Sequence, residues 1–158
     1  MYRIILLFIL VHVADIAYGQ CNCEKINRDD GTIINQCSAL PVAYDNSTQV
    51  GINAASNGEN IFITLTIRFQ TTAKNIVGNL SLRLVDNNLL NFSYVNSGLS
   101  FIGNSEVAQG IFLIKETDIA KLKTSRIMTI SFKLNDGLLR TYQVNTNADV
   151  LKSQVSCL

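Results

Sequence analysis

The sequence holds one histidine, His12, one proline, Pro41, and no tryptophan. Charged residues are scarce at 16%, against 47% hydrophobic. So little proline and so much apolar residue exclude a disordered, collagen-like or low-complexity chain. Charge of one sign is lacking too: 13 Lys plus Arg stand against 12 Asp plus Glu, a net +1. A dedicated nucleic-acid binder shows a basic excess, so none is expected here. No GxxxxGK[ST] and no GxGxxG after a strand occurs, which removes the phosphate-cradling loops.

One apolar run stands out, Ile4 to Ala14, behind the positive Arg3. Ala17-Tyr18-Gly19 sets small residues at −3 and −1 of a cleavage before Gln20. This is the pattern of a secretory signal peptide, residues 1–19. The run is too short to cross a hydrocarbon core, which needs about 20 residues. No membrane span is therefore expected after cleavage, and the mature chain, 20–158, is expected in the periplasm or outside the cell. His12 leaves with the signal. Ser-His-Asp and Cys-His nucleophile systems and His-rich catalytic zinc sites are then excluded. No catalytic residue, no cofactor and no metal ligand set is marked in what remains.

Cys21, Cys23, Cys37 and Cys157 all belong to the mature chain. An even count in an oxidising compartment reads as two disulfides, with three possible pairings. Residues two apart in a strand lie ~6.6 Å apart, which disfavours Cys21–Cys23. Asp29-Asp30-Gly31 fits a three-residue hairpin loop ending in a left-handed Gly. It pairs Arg28 with Thr32, and the same register carried outward pairs Cys23 with Cys37. Cys21–Cys157 then ties the two ends of the domain together. Cys-x-Cys spacing matches no zinc pattern.

Strands dominate the rest. Ile61, Ile63, Leu65, Ile67 and Phe69 alternate with Phe62, Thr64, Thr66 and Arg68, the period of a half-buried strand. Leu80–Leu84 repeats it, and Asp86-Asn87-Asn88 turns the chain into Leu89–Val95. Ile111-Phe112-Leu113-Ile114 is apolar on both faces and suits a central strand. Met128, Ile130, Phe132 and Leu134 alternate again, and Asn135-Asp136-Gly137 pairs Leu134 with Leu138 and Ile130 with Tyr142. That register places Arg140 opposite Phe132 on the apolar face, as at a rim where Arg snorkels. A short helix is expected near 117–124 with Thr117 as N-cap, and a second near 147–156 capped by Asn147. Gln49–Ala55 is expected as a strand; the rest of 38–60 has no clear period. The fold class is mainly β: a single antiparallel β-sandwich-like domain with two short helices.

Several clusters are weighed as sites. Asn27-Arg28-Asp29-Asp30-Gly31 offers oxygen ligands for Ca²⁺, but its spacing is no EF-hand and the hairpin turn accounts for it. Lys115, Lys121, Lys123, Arg126 and Lys133 concentrate positive charge, diluted by Glu116 and Asp118, as on a solvated helix face. Gly98, Phe101, Gly103 and Asn104 outline a Gly-bracketed loop with an exposed-looking Phe, the candidate binding loop. Tyr44, Tyr94 and Tyr142 are of the kind that stacks on sugars or half-buries in sheets. Asn46, Asn79 and Asn91 sit in Asn-x-Ser/Thr triplets, frequent by chance in a chain with 17 Asn after residue 19.

The Tyr18-Gly19-Gln20-Cys21 start, the Cys-x-Cys after it and the stretch from Gly98 to Cys157 resemble short, Asn-rich secreted proteins of Bacteroidota. The resemblance implies an envelope or extracellular location and carries no catalytic residue. The expected function is that of an exported, non-catalytic binding or interaction module whose partner is an envelope protein or a glycan. The alternatives are a structural envelope or matrix protein and a glycan-cleaving enzyme that uses two of Asp86, Glu106, Asp118 and Asp136, which must face each other at ~5–9.5 Å.

Overall fold

The computed structural model describes residues 21–158, so the expected signal peptide lies outside the described residues. The strands are β1 (Cys23–Asn27), β2 (Ile33–Cys37), β3 (Leu40–Tyr44), β4 (Thr48–Ser56), β5 (Ile61–Phe69), β6 (Ile76–Leu84), β7 (Leu89–Ile102), β8 (Ser105–Leu113), β9 (Ile127–Leu134) and β10 (Leu139–Gln143). Helix α1 (Glu116–Thr124) separates β8 from β9, and α2 (Val150–Val155) closes the chain. All pairing among the described residues is antiparallel, in the order β1-β2-β4-β5-β8-β7-β6-β9-β10, with β3 added to β4.

Strand β7 makes the sheet a sandwich. Its first part, Leu89–Phe92, pairs with β6, and its second part, Ser93–Ile102, pairs with β8. The register shifts between Tyr94 and Asn96, and such a bulge bends a strand. The sheet therefore doubles back, and its two halves face each other. Alternation decides what lies between them. Val50, Ile52, Ile63, Leu65 and Ile67 come from one half; Leu80, Leu82, Ile130 and Phe132 come from the other; all are fully buried in one cluster. Phe92, Phe112 and Phe132 are the largest buried side chains, each contributing about 1.5–3 kcal/mol by leaving water. Gly110 leaves little room for a side chain, because a Cβ there would stand 3.0 Å from the Phe112 ring and 3.1 Å from Ile76.

Cys23 pairs with Cys37 across β1 and β2, in the register set by the Asp29-Asp30-Gly31 turn. Gly31 takes φ +80, and Arg28 N–H donates to Thr32 O at 2.9 Å. Cys21 is bridged to Cys157, 136 residues away. Next to that bridge, α2 covers a gap in the ladder. β2 bonds only Ala55 and Ser56 of β4, and β3 begins at Ile52. The Ala54 N–H between them donates to Gln154 Oε1 at 2.8 Å, and Gln154 Nε2 donates to Ser38 O at 2.7 Å. A side chain of α2 thus stands in for a missing strand residue.

Three local expectations are corrected. The N-cap of α1 is Lys115, and Thr117 lies inside the helix. The N-cap of α2 is Asp149; Asn147 lies two residues before it, adopts φ 45, outside the extended conformation of an N-cap, and donates its Nδ2 to Pro41 O at 2.7 Å. The stretch from Gly98 to Glu106 is not a loop: β7 continues to Ile102 and β8 begins at Ser105. Gly103 at φ 60 supplies the first central position of a two-residue type II′ turn, so the chain needs no longer connection.

Candidate functional site

Four connections meet at one end of the sandwich. The β3–β4 turn touches the β5–β6 loop through Gln70 N–H donating to Ser47 O. That loop reaches the β9–β10 turn through Lys74 and Asp136, and β8 through Ala73 and Glu106. The β7–β8 turn lies beside it, since Arg68 pairs with Val107. The chain just after β10 is clipped to β3: Asn145 and Thr146 N–H donate to Val42 O at 3.0 and 3.4 Å, and Asn147 Nδ2 donates to Pro41 O. Beyond that clip β10 and β3 share no ladder among the described residues, and a groove lies between them.

At Tyr44 the groove opens into two adjoining hollows, of about 600 Å³ beside β10 and about 690 Å³ beside the β7–β8 turn. Tyr44, Thr48, Phe69 and Thr71 line both. Tyr44 stands at the junction, 48% exposed. On one side lie Lys74, Arg140, Tyr142, Gln143 and Asn145, and on the other Gln49, Arg68, Gln70, Asn104 and Glu106. Tyr142 is stacked on the buried Phe132, rings 5.7 Å apart and 10° from parallel, which fixes its plane.

The ionised groups hold one another. Lys74 Nζ and Arg140 Nη2 donate to Asp136 Oδ2 at 2.8 and 3.0 Å, and Leu138 N–H donates to Oδ1 at 3.0 Å. The Lys74 ammonium first, then the Leu138 amide, hold the Asp136 carboxyl at about 2. Arg140, opposite Phe132 as the register requires, turns its guanidinium to the rim for this contact. Partial burial raises the Asp45 carboxyl, but hydrogen bonds from the Ser47 amide and hydroxyl and from Tyr142 leave it lowered. Burial, and behind it the charge of Asp45, pushes the Tyr142 hydroxyl up, against a hydrogen bond with Thr48.

The four carboxylates separate into two places. Glu106 and Asp136 flank the β5–β6 loop at the groove end. Asp86 lies in the β6–β7 turn at the opposite end, lowered by hydrogen bonds from Asn88, and Asp118 lies in the first turn of α1, 3.7 Å from Lys121. The candidate loop residues separate likewise. Asn104 lines the larger hollow, whereas Gly98 and Phe101 stand along β7 and Gly103 makes the turn. Asp30 Oδ1 accepts from Thr32 N–H at 2.9 Å, so the Asn27–Gly31 oxygens serve the turn. Lys115, Lys121, Lys123 and Arg126 lie on or beside α1, and Lys133 lies far along β9. Asn46, Asn79 and Asn91 are all exposed; Asn79 Oδ1 accepts from Tyr94 N–H, and Asn91 Oδ1 from the Ser81 hydroxyl. Tyr94 packs edge-on against Phe112 and lies away from the groove. Thr48, Gln49, Phe69 and Thr71 carry no local signal of a site, Gln49 and Phe69 being legible only as strand residues; Tyr44 and Tyr142 were the available signals. The chain matches no known protein family, no curated protein and no solved structure.

Proposed function

We propose that the protein is an exported, non-catalytic binding module, periplasmic or extracellular, that takes a glycan across the groove at Tyr44. It would then act as short secreted proteins of Bacteroidota are placed to act, at the envelope. The observation that carries the reading is the half-exposed Tyr44 between two hollows rimmed by planar amide and guanidinium side chains. An aromatic face for the sugar ring and fixed donors and acceptors for its hydroxyls are what such a ligand requires. The two disulfides support a life outside the cytoplasm. A glycan array probed with the mature protein tests the proposal. Retention of a defined set of oligosaccharides is expected, and Tyr44→Ala should weaken it up to about tenfold, the worth of one aromatic contact. Retention that Tyr44→Ala leaves unchanged, or none at all, would overturn it.

A second reading rests on Glu106 and Asp136 standing at the same end. A glycan-cleaving enzyme would keep Asp136 ionised and ask Glu106 for the proton. Release of reducing sugar that Glu106→Gln abolishes would favour this reading over binding alone.

A further inference from the structure

Open strand edges pair with other chains unless something blunts them. Three edges are blunted among the described residues. β1 is short and carries Glu24 and Lys25; β3 contains Pro41; β10 carries Arg140 and the chain just after it is clipped to β3 at Asn145. The far edge of β7 has no such device. From Leu89 to Ile102 the strand contains no charged residue and no proline. β6 pairs with it only at Leu89–Phe92, and the last link is the Ser97 hydroxyl donating to Ile76 O at 2.8 Å. Gly98–Ile102 therefore has no partner on that side among the described residues.

Alternation shows what this edge presents. The two-residue turn at Gly103 and Asn104 makes Ile102 and Ser105 the closing hydrogen-bonded pair. Ser100 and Gly98 then bond to β8, and Leu99 and Phe101 turn their N–H and C=O groups outward. Their side chains are exposed as well, Leu99 at 44% and Phe101 at 74%. Free donors, free acceptors and apolar side chains thus coincide on one edge.

We propose that this edge pairs with the same edge of a second copy of the chain. Antiparallel pairing about a two-fold axis at Ser100 keeps the contact within Gly98–Ile102, setting Leu99 against Phe101 of the second copy and Phe101 against its Leu99. The two Leu99–Phe101 pairs then lie on the same face of the joined sheet. Charge selects this occupant. A copy brings no ionised group into the contact, so no register meets a like charge, and it returns the same apolar pair and the same outward backbone groups. Tyr44 lies outside the paired segment, Gly98–Ile102.

The test is sedimentation velocity on the oxidised mature protein across the micromolar range, with Leu99→Lys, Phe101→Lys and Val85→Lys. The parent should show a concentration-dependent monomer–dimer equilibrium. Lysine at 99 or 101 should raise the dimer dissociation constant about tenfold or more. Val85→Lys, an exposed site in the β6–β7 turn, should leave it unchanged. Thermal melting by circular dichroism identifies a variant that fails to fold, and Phe101→Lys, at the more exposed position, then carries the test. A parent that stays monomeric, or a dimer that both edge lysines leave intact, overturns the proposal. So does a monomer that binds a different protein along this edge.

Discussion

Replacing Gln154 by Met keeps the length of the side chain and removes both of its polar contacts. In the structure its Oε1 takes the Ala54 N–H at 2.8 Å and its Nε2 serves Ser38 O at 2.7 Å, with Gln154 itself 8% exposed. Ala54 is fully buried, so its N–H has no water to turn to. An orphaned buried donor costs about 1–3 kcal/mol, and the Ser38 carbonyl, on an exposed residue, regains water at little loss. The sum is about 1–3 kcal/mol, or roughly 3–12 °C in Tm for a domain of this size. Urea unfolding with both disulfides intact measures it. Gln154→Glu refines the test. Its carboxylate still accepts from Ala54 but cannot donate to Ser38, and burial would raise its folded pKa above the unfolded value near 4.3. Stability relative to Gln154→Met should then be highest below the unfolded value, where the introduced carboxyl is protonated and can donate. It should fall as pH rises towards the folded pKa. If Gln154→Met changes stability by less than ~0.5 kcal/mol, the account of the bridged ladder gap is wrong.

Replacing Cys21 and Cys157 by Ser should cost about 5 kcal/mol, and replacing Cys23 and Cys37 about 3, because loop-closure entropy grows with the span enclosed, 136 against 14 residues; urea midpoints of the two double variants rank them. Asp136→Asn should lower stability at neutral pH. Since the folded carboxyl is held at about 2, below the ordinary 3.8, the difference from the parent should be full above 3.8 and vanish as pH falls towards 2; melting at low salt across that range checks it. Gly110→Ala should destabilise by about 1–3 kcal/mol, because the added methyl meets Phe112 and Ile76 in the packed core; thermal melting reads this.

What could be read from the sequence was local. Asp29-Asp30-Gly31 and Asn135-Asp136-Gly137 each set a hairpin register, and from them follow the Cys23–Cys37 pair and the placing of Arg140 against Phe132. Alternation located β5 at Ile61–Phe69. What depends on distant pairing was not legible. β7 runs through both halves of the sandwich only because β6 and β8 each take part of it, so Gly98, which lies inside the strand, reads as a loop residue in isolation. Gln154 has meaning only beside a ladder gap some 100 residues earlier. The groove is the least legible feature. Tyr44, Phe69, Thr71 and Tyr142 come from four separate segments, and no spacing along the chain brings them together.

The claim at the centre of this account is that ligand binds at the turn end around Tyr44. Amide chemical-shift mapping of the mature protein, titrated with soluble oligosaccharides retained on the array, tests it most directly. Saturable shifts confined to Tyr44, Thr48, Gln49, Thr71 and the strand from Arg140 to Gln143 are expected, with the edge from Gly98 to Ile102 unmoved. Shifts concentrated along that edge or around α1, with the Tyr44 groove silent, would contradict it.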